Sequence, residues 1–186
     1  MNKIFLCLIS LFCLNGFCQT TDEKLHFMGG MFYGSGYYEL QNSHNKISEF
    51  SSCLGGRLSL FVTPKLLIGG MGNSVVVNYN PSSNYRIGSG GIVVEYLITT
   101  GPAYLSMGIY GGGGRLKNMH ATATQGDLYL VDFKETPYLF IAPIVTFSYR
   151  LTSKIGLTMI ADVPFSNKQN WIKSAVNVRG GLVFFR

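Results

Sequence analysis

Residues 174–186 read S-A-V-N-V-R-G-G-L-V-F-F-R, and a two-residue period divides them into unlike faces. One face carries Val176, Val178, Gly180, Leu182 and Phe184; the other carries Asn177, Arg179, Gly181, Val183 and Phe185. Alternation of this kind marks a β-strand whose two sides meet different surroundings. The same period recurs along the chain, and beyond residue 18 no apolar stretch approaches the roughly 20 residues that a helix needs to cross a bilayer. Lipid offers backbone groups no partners, so a chain that crosses a membrane without helices must close its strands into a barrel.

The first residues address a compartment. Met1, Asn2 and Lys3 form a short basic start, residues 4–14 are apolar apart from Ser10, and Gly16, Phe17 and Cys18 end the run in the manner of a signal-peptidase site. The pattern predicts a signal peptide over 1–18, cleavage before Gln19, a short periplasmic segment over 19–26, and a barrel over 27–186. An uncleaved anchor would need a longer apolar run. A lipoprotein acylated on Cys18 would need a small residue where Phe17 stands.

Cys7, Cys13 and Cys18 fall within that signal, which leaves Cys53 alone and excludes an intramolecular disulfide. No Cys/His grouping has metal-ligand spacing, so neither a metal nor another cofactor is expected. The formal charge is +6, and about +5 once Lys3 leaves with the signal. Its basic residues are scattered rather than gathered into a run, which argues against nucleic acid. Anionic lipid headgroups, solubility and pairing inside the fold remain as their uses.

Eight strands are predicted, over 27–40, 49–62, 66–79, 87–98, 103–116, 138–151, 155–165 and 174–186. The second is the cleanest: Phe50, Ser52, Leu54, Gly56, Leu58, Leu60 and Val62 alternate with Ser51, Cys53, Gly55, Arg57 and Ser59. The third presents Leu67, Met71, Val75, Val77 and Tyr79 as its apolar stripe. In the fourth, Ile92, Val94, Tyr96 and Ile98 face outward and Val93 and Glu95 inward. Connections alternate between long (41–46, 80–84, 117–136, 166–173) and short (63–65, 99–102, 152–154), with 117–136 expected to form a protruding hairpin or strand extension. Glycine is 23 of 186 residues and often doubled, as at Gly90 and Gly91. Because glycine weakens strands, such pairs predict tight curvature in a narrow barrel.

With its signal, its strand rhythm and its terminal Leu182, Val183, Phe184, Phe185 and Arg186, the chain resembles the small eight-stranded outer-membrane barrels of the outer membrane protein A transmembrane-domain type. The resemblance covers essentially everything after the signal. It implies an all-β, eight-stranded antiparallel up-and-down transmembrane β-barrel in the bacterial outer membrane, with both termini and the short turns periplasmic. It also implies a monomer in contact with outer-membrane lipid and lipopolysaccharide and placed there by the barrel-insertion machinery. Arg186 departs from the aromatic residue with which such chains usually end.

The predicted inner faces carry Arg57, Glu95, Arg150, Asp162 and Arg179. An eight-stranded barrel is only wide enough for side chains to fill, and charges away from bulk water need partners. The expectation is a lumen charge network that plugs the barrel, with Glu95 as its principal anion, in a protein of structural or interaction type whose loops face outward. A narrow ion path is the competing use of those charges.

Some eight-stranded barrels are lipid A deacylases or palmitoyl transferases, and such sites need a hydroxyl, a histidine base and an orienting partner. Here Ser43 and His44 beside Glu39 or Glu49 are the nearest grouping, but Asn45 and Lys46 follow where the deacylases have His-x-Ser. No catalytic residue is assigned. Gly111 to Gly114 lack the helix and the Gly-Lys-Ser/Thr ending of a phosphate loop. Trp171 and the tyrosines read as interfacial girdle residues. A soluble secreted β-barrel around a small hydrophobic ligand is the other reading, and a hollow apolar interior would be its sign.

Overall fold

The computed structural model describes residues 27–41, 46–80, 83–99, 102–123, 129–167 and 172–186. The expected signal over 1–18, the segment 19–26, His26, His44, Trp171 and the side chains of Tyr79 and His120 lie outside the described residues. Nine strand segments follow one another: β1 Phe27–Gln41, β2 Lys46–Thr63, β3 Leu66–Asn80, β4 Ser83–Leu97, β5 Ala103–Ala123, β6 Tyr129–Arg150, β7 Ile155–Asp162, β8 Phe165–Ser166 and β9 Ile172–Phe185. β7 and β8 are two pieces of one stave, parted at Val163 and Pro164, so the barrel has eight staves. Proline has no N–H to give a ladder, which is why the stave breaks there.

Consecutive staves pair antiparallel, β9 returns to β1, and β5 pairs with β6, so the sheet is closed. The chain end completes the seam: the Phe27 amide donates to the Arg186 carbonyl at 2.7 Å and the Arg186 amide returns the bond at 2.9 Å. The turn at Pro64 and Lys65 and the bend over 151–154 share that end, where the Phe185 amide donates to the Lys154 carbonyl at 2.9 Å. Closure removes the strand edges that lipid could not satisfy.

The opposite end differs from the long loops expected of it. β4 already begins at Ser83, paired with Asn80, and β2 begins at Lys46, paired with Gln41. Polar residues there continue the ladder past the apolar belt, since backbone pairing needs no apolar side chain. The segment 117–136, by contrast, forms the strand extension expected of it. β5 and β6 stay in register from Ala103 opposite Tyr149 to Ala123 opposite Tyr129, whereas β4 leaves β5 at Met119 and β8 leaves β6 at Phe140. The result is a two-stranded extension beyond the barrel.

The outer face is apolar. Leu54, Leu58, Leu60, Val94, Ile141, Val145 and Leu157 all point away from the lumen, Leu58 with 60% of its surface open. A belt of this extent on a soluble monomer would be an aggregation surface; around a barrel it is the lipid-facing wall.

The apolar stripe of β3 faces inward. Leu67, Met71, Val75 and Val77 are buried in the lumen, and the outward positions of that strand hold Ile68, Gly70, Gly72, Ser74 and Val76. The reason is that the lumen is packed rather than wet, so apolar residues suit both sides of the wall. Near the chain ends Met28, Leu67, Leu97, Tyr104 and Val183 form one apolar layer, with Phe61 and Phe185 against it. Toward the other end Phe32, Tyr38, Val77, Ile87, Tyr110, Tyr138, Phe140 and Ile172 belong to a larger one. Crowding also explains the inward glycines: Gly91 and Gly112 stand opposite each other, and a Cβ on either would run into the backbone of the other strand.

Candidate functional site

Between the apolar layers the lumen carries charge. Arg57 projects inward from β2 because it shares the parity of Cys53 and Ser59, and its guanidinium forms an ion pair with Glu95 of β4. The side chains of both are 1% exposed. Glu95 also accepts from Thr146 Oγ1 at 2.5 Å and from Ser106 Oγ at 3.3 Å. Arg57 donates to Ser59 Oγ at 3.2 Å and to Thr146 Oγ1 at 3.4 Å. Four staves thus meet on one carboxylate, and the neighbouring Ser148 donates to Thr158 Oγ1 at 3.0 Å to extend the hydroxyl layer. Buried ion pairs are tolerated when further hydrogen bonds take up their remaining donors and acceptors, as the hydroxyls do here for all but Arg57 Nε, which has no partner among the described residues.

A second pair lies nearer the opposite end. Arg179 of β9 is fully buried, bound to Asp162 of β7 and to Asn73 of β3. Its guanidinium carbon lies 5.0 Å from the centre of the Phe32 ring, a cation–π contact. Asp162 accepts from Asn177 Nδ2 at 2.8 Å, and Asn177 in turn accepts from the Tyr38 hydroxyl at 2.6 Å. Beside this chain is a cavity of about 20 Å³, lined by Tyr38, Asn73, Asp162, Asn177 and several aromatic residues. It is large enough for a single water molecule.

Arg150 stands apart, and the expectation that it joins the lumen charges is corrected. It has inward parity but is the last residue of β6, so its side chain emerges at the rim, exposed, with its guanidinium 4.7 Å from the Phe185 ring centre. The charges expected to form one network therefore divide into two buried pairs, Arg57 with Glu95 and Arg179 with Asp162, and one rim cation. Sequence reasoning missed Asn73, Asn177 and Tyr38 as partners. Parity marks Asn177 as inward, but which strands face one another across the lumen depends on the stagger of the closed sheet.

At the base of the β5–β6 extension Glu135 bonds Lys117 Nζ at 2.6 Å and Arg115 at 3.4 Å. The hydrogen bond from Lys117 is the main reason its carboxyl is held below the usual carboxylate range. Among the described residues no group of three or more His, Cys, Asp or Glu side chains could hold a metal ion. Cys53 is buried and unpaired.

No family model matches the sequence, and no curated protein is significantly similar to it. Solved structures do match its fold. The attachment invasion locus protein Ail of Yersinia pestis superposes with a TM-score of 0.57 at 7% identity, over 86% of this chain and 98% of that one. Neisserial surface protein A gives 0.55 at 14% identity, over 87% and 99%. A major outer membrane protein of Thermus thermophilus gives 0.58 at 9%, over 85% and 99%. The chain has the fold of the small eight-stranded outer-membrane β-barrels.

Proposed function

We propose that this protein is a plugged outer-membrane anchor of structural or interaction type, which holds a β-extension above the outer surface of the cell. The observation that carries the reading is the filled lumen. An ion path needs a continuous water column, whereas here an apolar layer at the chain-end rim is followed by two buried ion pairs and then by aromatic packing. Among the described residues the cavity enclosed beside Asp162 is about 20 Å³, too small for a hydrophobic ligand. What the barrel offers its surroundings is therefore its outside: a lipid-facing belt and the β5–β6 extension. Closure leaves the barrel itself no strand edge to share, open edges lying in strand ends beyond it such as the β5–β6 extension, and a monomer in the membrane is the fitting state. Outer-membrane lipid, lipopolysaccharide and the insertion machinery are its proposed partners.

Sidedness tests the proposal. Short turns of such barrels face the periplasm, so a cysteine placed at Gln125 in a Cys53→Ser background should react with a membrane-impermeant maleimide on intact cells. A cysteine at Ser153 should react only after the outer membrane is opened. The reverse pattern would put the extension on the wrong side and end the reading.

A further inference from the structure

The outer wall of β3, β4 and β5 carries a feature that neither the plug nor the fold requires. Arg86 of β4 stands directly opposite Lys117 of β5, and Arg115 stands opposite Gly88, one outward position along. All three side chains are exposed on the outer face. Like charges directly opposite in a sheet destabilise it. One carboxylate, Glu135, meets Lys117 and Arg115, and Arg86 has no acidic partner among the described residues. The cluster therefore keeps an excess of positive charge over its one carboxylate.

On the membrane side of these cations the wall is bare. Gly72 pairs with Gly90 and Gly90 with Gly113, so three outward glycines form one row across three strands, and Gly56 continues it onto β2. Met31 and Leu139, 67% and 64% exposed, stand at the two ends of the row. The open, shallow depression beneath the cations is bordered by Ser74, Arg86, Gly88, Gly90, Gly113 and Arg115. A Cβ would find no atom closer than 3.9 Å at Gly90, 3.6 Å at Gly72 and 3.5 Å at Gly113. Glycine weakens a strand interior, and at these positions nothing within the chain demands it.

We propose that this face binds a phosphorylated, acylated glycolipid of the outer leaflet, its phosphate on Arg86, Arg115 and Lys117 and an acyl chain lying on the glycine floor. Phosphate accepts several charge-assisted hydrogen bonds at once and is the natural partner of paired arginines. A second copy of the chain fits poorly, because a two-fold contact over this face would set the cations against themselves. A neutral lipid could cover the floor but would leave the cations unanswered. The proposal rests on the membrane reading, since only a lipid-facing wall meets acyl chains.

The test uses the protein refolded into detergent micelles, with closure of the barrel checked by its heat-dependent shift on a gel. Native mass spectrometry then compares bis-phosphorylated lipid A with the same lipid A stripped of phosphate. The phosphorylated form should bind at least tenfold better. Arg86→Gln with Arg115→Gln should lose that tenfold preference. Gly72→Leu with Gly90→Leu, where the added side chains have room, should stay folded and bind phosphorylated lipid A at least tenfold more weakly. Lys65→Gln with Lys154→Gln removes the same charge at the opposite rim and should change neither. Equal binding of the two lipids, undiminished binding by the floor variant, or an equal loss in the opposite-rim control would each overturn the proposal. A wild-type chain that remains soluble without detergent would defeat the membrane reading itself, which keeps the two failures apart.

Discussion

Gly90 and Gly91 are neighbours in sequence and opposites in circumstance. A Cβ on Gly91 would meet the Gly111 carbonyl and the Gly112 backbone, whereas one on Gly90 would have nothing closer than 3.9 Å. Gly112 and Gly113 repeat the contrast across the strand pair, the first crowded and the second open. The inner face of this wall is a packed protein interior that dictates its residues. The outer face is a boundary whose residues answer to something other than this chain. Tight curvature, the expectation for every glycine pair, accounts for one member of each.

The two faces should fail differently. Gly112→Val, on the crowded side, should exceed the ~1–3 kcal/mol usual for overpacking, because backbone rather than a movable side chain is in the way. Loss of the heat-dependent gel shift after refolding would show it, and a variant that refolds with unchanged stability would erase the distinction between the faces.

A charge lost from the packed side ranks close behind. Glu95→Gln leaves the Arg57 guanidinium without its counterion and should destabilise the barrel by about 3 to 5 kcal/mol. Replacing the pair together, Arg57→Met with Glu95→Leu, should recover most of that loss, because an apolar substitute of similar volume carries no desolvation penalty. Urea titration of folding into lipid vesicles measures both. A double variant as weak as the single one would mean that the carboxylate acts through its hydroxyl partners instead of the ion pair.

On the lipid side the magnitude depends on depth. Leu58→Arg should cost about 2 to 4 kcal/mol if it lies near the midplane, and little at either rim; the same titration would expose an error in the belt if the substitution proved neutral. Smallest of all is Gly90→Ala, which has room for its methyl group and should stabilise the strand by roughly 0.5 to 1 kcal/mol. A clear loss there would mean that the outer floor is required by the fold after all.

The same contrast explains what could be read from the sequence. Parity along a strand is a property of the chain alone, so the inward positions of Arg57, Glu95, Asp162 and Arg179 follow directly from the two-residue period. Their partners follow only in part: Asp162 reaches Arg179 from the next stave, one diagonal position away, but Asn73 meets it from β3, a strand far apart in sequence brought across the lumen by the closure and stagger of the sheet. Arg150 had the right parity but the wrong height, since its place at the end of β6 puts it in the solvent-facing rim. Hydrophobicity alone left the facing of β3 open, because it marks a lipid-facing side chain and a lumen-packing one alike. Strand ends were misjudged because polar residues close a ladder as readily as apolar ones, which let β2 and β4 run into the expected loops, while the extension expected over 117–136 is present.

On the plug reading, side chains fill the lumen and leave no conduit. Single-channel recording in planar bilayers tests that reading most directly. The intact, folded protein should give no unitary current steps at any applied voltage, and Glu95→Gln should destabilise the barrel without producing them. Steady conductance in the wild type, altered in size or selectivity by Glu95→Gln, would mean that water runs past the Arg57–Glu95 pair and would contradict the account.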